Sequence, residues 1–486
     1  MLWISVYLPE LSLQSHCRGV LGQVRDLPLV ISDGNSSRPH VHAANTCARE
    51  AGIATMMPVA SAQARAAGLI VLPRETAKEE ESLRQIATWL SQFSPMTCLE
   101  AAGASLEMST TLKLFGGISN IANRIRTGIR ALAFHASIGI APTPLAACLL
   151  AKASHYAAGV RMCRDATQLR ERLADIPLAL FAWPYEILQP LTALGLSRIK
   201  DLLLQPRAGL QRRFGDLILG DLNRALGLAP DPRKPHRVPE EFRSHLDLLF
   251  DTTDIERILN PVQILLNEME GFLHAHGAAV NEILIQLKHD RVAQTDHRFG
   301  ARKPMRNAGD WMCLVRERLA AQPLPDAVTA IILSTARLVP FQLQTESWLP
   351  TRDAQTEQWQ TLLERIASRL GEKSVFSVQV RKDHRPEHAW QTGMDGGKYN
   401  TETASATPRP LLLLAEPKVL VTMSGVPQHH GPLSLLTGSE RIETGWWDGF
   451  PVARDYFVAR NPQQEICWIF CDYRQERRWY LHGYFS

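Results

Sequence analysis

Three prolines in six residues, Pro230-Asp231-Pro232-Arg233-Lys234-Pro235, divide this chain. Proline lacks an amide hydrogen and fixes its own φ, so a run this dense belongs neither to a helix interior nor to a sheet ladder. It reads as a linker between units that must each bury their own apolar residues. At 486 residues the chain is in any case too long for one core, and a length prior gives roughly three to five packed units.

Before the linker, strand and helix patterns alternate. Met1-Leu2-Trp3-Ile4-Ser5-Val6-Tyr7-Leu8 reads as a buried strand, and Leu29-Val30-Ile31-Ser32 as a second one. Residues 43–68 suit small helices, punctuated by Gly52 and Pro58. A hairpin is expected between Leu99 and Ser109, a helix from Ile118 to Leu132, a strand from Ala136 to Ile140, and a helix over Leu145 to Ala153 after Pro142-Thr143-Pro144. From Ile176 to Leu228 the pattern shortens to small helices jointed at Gly195 and Gly215. After the linker, a new α+β unit runs from Phe242 to about Pro340, with a helix over Pro261 to Ala275 and an alternating strand over Glu282 to Lys288. A helix (Glu357 to Leu370) and a strand (Val375 to Val380) follow, and 383–410, poor in large apolar residues, reads as a flexible linker. Tryptophan, tyrosine and glycine turns from Lys418 to Ser486 predict a compact β-rich end.

Hydrophobic residues at 45% and charged ones at 21% describe a soluble globular protein. No stretch is long and apolar enough to cross a bilayer. The apolar start lacks a basic n-region and a cleavage site, so a cytoplasmic protein without membrane contact is expected. The eight cysteines are scattered. Cys467 and Cys471 lack a second Cys or His pair to complete a zinc site, so reduced, structural thiols and no bound metal are the expectation.

Several segments, in this order, resemble the Y-family DNA polymerases, and more closely their ImuB-type branch. Ala44-Asn45-Thr46-Cys47-Ala48-Arg49-Glu50-Ala51-Gly52-Ile53 is similar to the fingers motif that holds the incoming triphosphate. Ser137-Ile138-Gly139-Ile140-Ala141 with Leu150-Ala151-Lys152-Ala153 resembles the palm segment leading to the thumb. Leu191 to Leu202, around Gly195, is similar to the thumb's helix-hairpin-helix, whose turn presents backbone N–H groups to a DNA phosphate. Gly445-Trp446-Trp447-Asp448-Gly449, Arg454 to Phe457 and Trp479 to Gly483 resemble the C-terminal domain of the ImuB type. The resemblance implies a multidomain α+β protein with the right-hand architecture: a palm (1–165) with inserted fingers (about 15–72), a helix-hairpin-helix thumb (166–232) and a little finger (240–341). A segment with a clamp-peptide candidate, helix and flexible linker (342–415) and a small β-rich C-terminal domain (416–486) complete it.

Y-family polymerases join nucleotides with two Mg²⁺ ions held by carboxylates. The resemblance places Tyr7 where the family's first-strand aspartate stands, and Ala102 and Gly103 at its Asp-Glu pair. A phenol with a pKa near 10 is a poor Mg²⁺ ligand, and alanine and glycine are none. At the triphosphate site Thr46 stands for the tyrosine and Pro144 for the palm lysine, leaving Arg49. Glu100, two residues before Ala102 on one strand, would lie roughly 7 Å from the required position. Glu107 falls where the family has a non-catalytic aspartate, and Glu10 lies beyond the strand.

Formal charge is only +4, but basic residues cluster. Arg198, Lys200, Arg207, Arg212 and Arg213 surround the thumb's glycine turns, and Lys288, Arg291, Arg302 and Lys303 lie in the little-finger region, compositions that suit phosphate contact without base readout. In Phe341-Gln342-Leu343-Gln344-Thr345-Glu346-Ser347-Trp348-Leu349, the residues Gln344, Trp348 and Leu349 resemble a sliding-clamp peptide. The family likeness further implies a RecA-like accessory protein and a separate error-prone, replicative-type DNA polymerase as partners, besides damaged or primer–template DNA. The expectation is a noncatalytic scaffold of translesion synthesis and damage-induced (SOS) mutagenesis that needs no cofactor. Its rival is an active translesion polymerase with atypical metal ligands, distinguished by whether carboxylates meet at the palm.

Overall fold

The computed structural model describes residues 1–20, 26–34, 38–156, 161–320, 323–335, 337–341, 362–363, 366, 374–381, 383–393, 409–474 and 476–485. The chain forms two compact units, Met1–Arg369 and Leu370–Ser486.

In the first unit the expected opening strand, β1 (Trp3–Tyr7), is followed by β2 (Leu29–Ser32), β3 (Val41–Ala44), β4 (Ile70–Pro73), β5 (Thr97–Glu100), β6 (Gly103–Glu107), β7 (Ser137–Ala141) and β8 (Arg161–Met162). β1 is buried along nearly its whole length because it runs through the middle of the palm sheet, whose order is β5-β6-β1-β7-β8. A smaller sheet, β3-β2-β4, carries the fingers, with the helices Thr46–Glu50 and Val59–Arg65 beside it. The asparagine that precedes Thr46 starts the first of these helices: Asn45 Oδ1 accepts from Ala48 N at 2.9 Å.

Short helices follow, with Tyr185–Ala193 and Ile199–Leu203 forming a hairpin around Gly195, whose φ of 75° suits glycine. The little finger is a sheet of order β11-β10-β12-β9, built from β9 (Arg243–Thr252), β10 (Ala278–His289), β11 (Thr295–Met305) and β12 (Val328–Thr335), with β13 (Val339–Pro340) pairing to β10. The helix expected from Pro261 begins earlier, at Ile255, and ends at His276. Asp254 accepts from Glu256 N at 3.0 Å and so caps a turn and a half that the proline does not block. The right-hand plan of palm, fingers, helix-hairpin-helix thumb and little finger is thus present.

The palm and the fingers have cores of their own, but the N-terminal region also shares one with the little finger. Leu13, Cys17, Leu29 and Ile31 from the N-terminal region share one apolar cluster with the little finger's Leu265, Phe272, Ile285 and Trp311. Arg18, only 2% exposed, reaches into the same interface: Nη2 donates to Glu268 Oε1, Nη1 to Gln85 Oε1 at 2.9 Å, and Nε to the Leu132 carbonyl at 3.3 Å. The indole of Trp89, on the helix Thr76–Leu90, lies between glycines of two other helices. A Cβ at Gly128 would approach its ring within 2.0 Å, and one at Gly271 within 2.1 Å. The Pro-rich connector is likewise held: Pro235 bridges to Cys98 at the sheet edge, and His236 N donates to the Thr97 carbonyl at 2.7 Å.

The second unit contains the hairpin β14 (Ser377–Val380) and β15 (Trp390–Gly393), then β16 (Leu412–Met423), β17 (Val426–Gln428), β18 (Ser434–Leu435), β19 (Glu440–Thr444), β20 (Val452–Arg460), β21 (Ile466–Asp472) and β22 (Arg478–Tyr484). The last seven form the expected β-rich sheet, with Tyr456, Trp468 and Phe470 in its core. The stretch 383–410 departs from the linker expectation at its start. Asp383 to Gly393 is folded, because Arg385, 3% exposed, is shared between the carboxylates of Asp383 and Asp448.

Alanine in place of a mid-helix glycine ordinarily stabilises by about 0.5–1 kcal/mol. Gly271→Ala should do the opposite here, lowering unfolding free energy in urea by about 1–3 kcal/mol, because Trp89 cannot yield without moving two helices; an unchanged or raised midpoint would contradict this packing.

Candidate functional site

The palm positions singled out in the sequence converge. Tyr7 at the end of β1 pairs in register with Gly103 at the start of β6, and Ala102 occupies the turn between β5 and β6 with its carbonyl accepting from Leu8 N at 2.9 Å. At Gly103 a side chain is excluded: a Cβ there would stand 1.9 Å from the Val6 carbonyl oxygen. Tyr7 is half-buried, and burial, then Tyr156, then Cys148 raise its pKa, so the phenol stays protonated at neutral pH.

Beside these residues is a cavity of about 260 Å³, lined among others by Tyr7, Ala102, Cys148, Lys152, Glu100 and Arg233. Among the described residues lining it, the carboxylates are Glu100 and Asp221. Glu100 does not lie two strand steps from Ala102, as expected. The chain turns at 101–102, and Glu100 instead faces Gly103 across the hairpin. Its oxygens accept from Arg233 Nη1 at 3.0 and 2.9 Å and from Ser105 Oγ at 2.9 Å. Arg233 also donates to both oxygens of Asp231, at 3.1 and 2.9 Å. Asp221 accepts from Trp183 Nε1 at 2.6 Å and from Arg224.

A guanidinium from the connector thus lies where a rescued metal site would draw its oxygens. An Mg²⁺ site asks for carboxylate oxygens free to converge on the ion, and these residues do not fit one. Elsewhere, Glu10 pairs with Arg49 at 3.0 Å and Glu107 accepts from Ser109 N at 3.0 Å. Arg49 also donates to Thr46 Oγ1 at 3.2 Å, so two of the positions singled out in the sequence are in contact, while Pro144 is buried at the start of the helix Pro144–Tyr156.

The thumb's basic residues are exposed, but several are engaged. Arg198 and Lys200 both pair with Asp175, at 3.0 and 2.8 Å, and these bonds, the Lys200 one first, lower the carboxyl's pKa. Arg207 donates to Asn223 Oδ1 at 2.6 Å, and Arg213 lies over the Phe214 ring at 5.5 Å; Arg212 is on the same helix, Arg207–Phe214. The hairpin does not offer free amides as expected. Gly195 N donates to the Thr192 carbonyl, and Asp201 Oδ2 accepts from Ser197 N at 2.9 Å and Arg198 N at 2.8 Å, so a carboxylate stands where a phosphate would cap the helix.

In the little finger, Lys288 and Arg291 are exposed, Lys303 is half-buried on β11, and Arg302 lies one residue before it on that strand. Register adds residues that the sequence reading passed over. Arg243 pairs with Ser334, Ser334 with Leu284 and Leu284 with Arg298, forming one row across four strands. Directly paired residues share a sheet face. Arg243, His245, Lys288 and Arg298 therefore project from the face opposite Ser244, Leu246 and Ile285, which turn inward. The strict alternation of β9, exposed at 243, 245 and 247 and buried at 244, 246 and 248, was the available signal. Gln344, Trp348 and Leu349 fall outside the described residues.

In the second unit the loop between β19 and β20 holds Trp446, Trp447 and Phe450 at 79%, 60% and 74% exposure. They are not core residues. Their loop is tied down from beneath by Arg385, which donates to the Phe450 carbonyl at 3.2 Å as well as to Asp448.

With this geometry in hand, relatives can be compared. Residues 16–152 match the model of the impB/mucB/samB family. This segment is a Y-family domain of that kind. The chain is 24% identical over 469 residues to Protein ImuB of Caulobacter vibrioides (strain NA1000 / CB15N), covering 88% of this chain and 98% of that protein. It is 27% identical over 251 residues to DNA polymerase IV of Yersinia pestis (strain Pestoides F), over 51% of this chain and 71% of that protein. The crystal structure of DinB from Sulfolobus solfataricus superposes with a TM-score of 0.41 at 19% identity, over 70% of this chain and all of that one. The ImuB likeness therefore extends beyond the Y-family domain into both units. No helix among the described residues is long and apolar enough to cross a membrane.

Hydrogen bonds from Arg385 hold the Asp383 carboxyl down at about 2, below an unfolded value of about 3.9. A depressed pKa contributes stability that is complete above the unfolded value and is lost as pH falls toward the folded one. Acid titration of tryptophan emission should show the parent losing this unit's stability between about pH 4 and 2; Asp383→Asn should be less stable at pH 7 and flatter across that window, and an unchanged acid limb would contradict the assignment.

Proposed function

We propose that this protein is a noncatalytic DNA-binding scaffold for DNA damage tolerance, with a polymerase fold that grips primer–template DNA without extending it. The observation that carries the reading is the Arg233 guanidinium, which holds both Asp231 and Glu100, the latter paired with Gly103, a position with no room for a side chain. Two-metal chemistry needs carboxylates that converge on an ion. Here they converge on an arginine. The match of residues 16–152 to the impB/mucB/samB model and the likeness to Protein ImuB support the place in damage tolerance.

DNA contact is assigned to the face of the little-finger sheet that carries Arg243, Lys288 and Arg298, the last paired with Glu282 at 3.6 Å, and to Arg212 and Arg213 of the thumb; Arg198, Lys200, Arg207, Arg291, Arg302 and Lys303 flank these. Tethering of a sliding clamp through Gln344, Trp348 and Leu349, and of a RecA-like protein and an error-prone polymerase through the C-terminal region, rests on the resemblance of those sequence segments. The exposed Trp446, Trp447 and Phe450 support a docking role for that region, since aromatic anchors carry most of the energy of protein contacts.

Primer extension by the purified chain, with Mg²⁺ and then Mn²⁺, on undamaged and lesion-bearing templates should give binding without product. Extension that tracks the protein through re-purification would establish the rival, an active polymerase with other ligands. In the binding assay, replacing Arg243, Lys288 and Arg298 together with alanine should weaken affinity regardless of sequence and flatten the slope of log K against log salt by up to about 2.7, at about 0.9 per lost phosphate contact. An unaltered slope would remove this face from the interface.

A further inference from the structure

The second unit places two histidines and a glutamate where the sequence pattern gave no hint of a site. His429 and His430 sit in the loop between β17 and β18, and Glu465 closes the turn between β20 and β21. One donor atom from each lies within 4.8 Å of the other two. The two loops adjoin at one end of the sheet: β18 pairs with β20, and a Cβ at Gly431 would come within 2.7 Å of the Pro462 ring.

Consecutive residues of an extended chain point to opposite sides, so adjacent histidines do not ordinarily converge. Here they do, because His430 takes a left-handed φ of 52° and the His429 N–H closes the turn onto the Gly431 carbonyl at 2.8 Å. The ring centroids come to 4.4 Å. A non-glycine residue held at positive φ is strained and persists only where the surrounding structure enforces it. The supports around the trio also suit coordination. Tyr484 Oη lies 3.2 Å from His429 Nε2; with Nε2–H donating to it, Nδ1 carries the free lone pair. Asn461, 2% exposed, fixes the carboxylate by donating to Glu465 Oε2 at 2.6 Å and accepting from Glu465 N at 2.9 Å, which leaves Oε1 for a ligand.

Two imidazole nitrogens and a carboxylate oxygen form a borderline N₂O set, which suits Zn²⁺ and, by affinity order, also Ni²⁺ and Cu²⁺, over Mg²⁺ or Ca²⁺. A tetrahedral zinc with bonds of about 2.0–2.1 Å spaces its ligands by about 3.4 Å, so the side chains need close in by no more than about an ångström and a half.

We propose that His429, His430 and Glu465 form a zinc site that ties the β17–β18 and β20–β21 loops together and leaves a fourth position for water. The ion would act as a staple at that end of the sheet. It has no part in the palm and stands or falls independently of the scaffold reading.

The test uses the full chain, stripped with a chelator and titrated with Co²⁺ as a spectroscopic stand-in. One equivalent should produce visible ligand-field bands of tetrahedral intensity, which Zn²⁺ then bleaches, and zinc should raise the melting temperature of the stripped protein. His430→Gly is the informative variant, since glycine accepts the left-handed backbone and keeps the loop folded while removing a ligand. It and Glu465→Gln should each lose the bands and weaken zinc at least tenfold, whereas exposed His384→Ala should bind as the parent does. Absence of tetrahedral bands in the parent would overturn the proposal. So would binding that survives both substitutions, which would mean an adventitious ion only.

Discussion

Arg18 and Glu268 are separated by 250 residues of sequence, and both are almost wholly withdrawn from water. A charge placed there must be answered in full, and it is: Ser244 Oγ donates to the second Glu268 oxygen at 2.6 Å, Gln85 links Ser244 to Arg18, and the guanidinium also lies 4.6 Å over Phe134. Removing one member of such a buried pair costs about 3–5 kcal/mol, because the other is left charged and unsolvated. Five segments, the N-terminal helix end, the two palm helices, and the first strand and long helix of the little finger, therefore have one mutual arrangement that satisfies all of these groups. Trp89, gripped by Gly128 and Gly271, adds a steric key to the electrostatic one. The N-terminal helix, the first strand of the fingers and the little finger share one core, and this network locks it to the palm helices.

That arrangement explains the palm. Because the little finger is anchored on the back of the palm, the connector leading to it has to run along the sheet edge, where Pro235 bridges to Cys98 and His236 bonds to Thr97 and Thr88. A connector so held brings Arg233 to the hairpin as a fixed cation. There it neutralises Glu100 and Asp231 together. The residue belongs at once to domain connection and to the chemistry of the site.

Much of this was legible in the amino-acid pattern wherever a local rule dominates. The opening strand, the helix from Ile118 and the strands at 29 and 137 follow from apolar periodicity, and Tyr7, Ala102 and Gly103 fall together because β1 lies beside the β5–β6 hairpin, whose turn holds Ala102. Where two local rules compete, the outcome depends on their strength: Asp254 capping prevails over Pro261, so the long helix starts six residues early. Glu100 was misplaced because Ala101-Ala102 reads equally well as strand or turn, and only pairing decides. The thumb's amides are consumed by Asp201, four residues from Ser197, a cap recognisable only once the helix start is known. Arg233, the Arg18 network and the His429–His430–Glu465 grouping depend on contacts between distant segments, for which no spacing in the sequence is a signal.

Gly103 bears on how such a protein changes over generations. Its α-carbon passes so close to the Val6 carbonyl that every substitution there first requires the β1–β6 spacing to widen. An acid introduced at position 7 or 102 would line the same cavity as Arg233, whose guanidinium is already shared by Glu100 and Asp231. A carboxylate at position 103 would therefore cost packing before it could meet any ion. Any change at this position is thus felt first by the backbone of β1, before a new side chain can offer any chemistry.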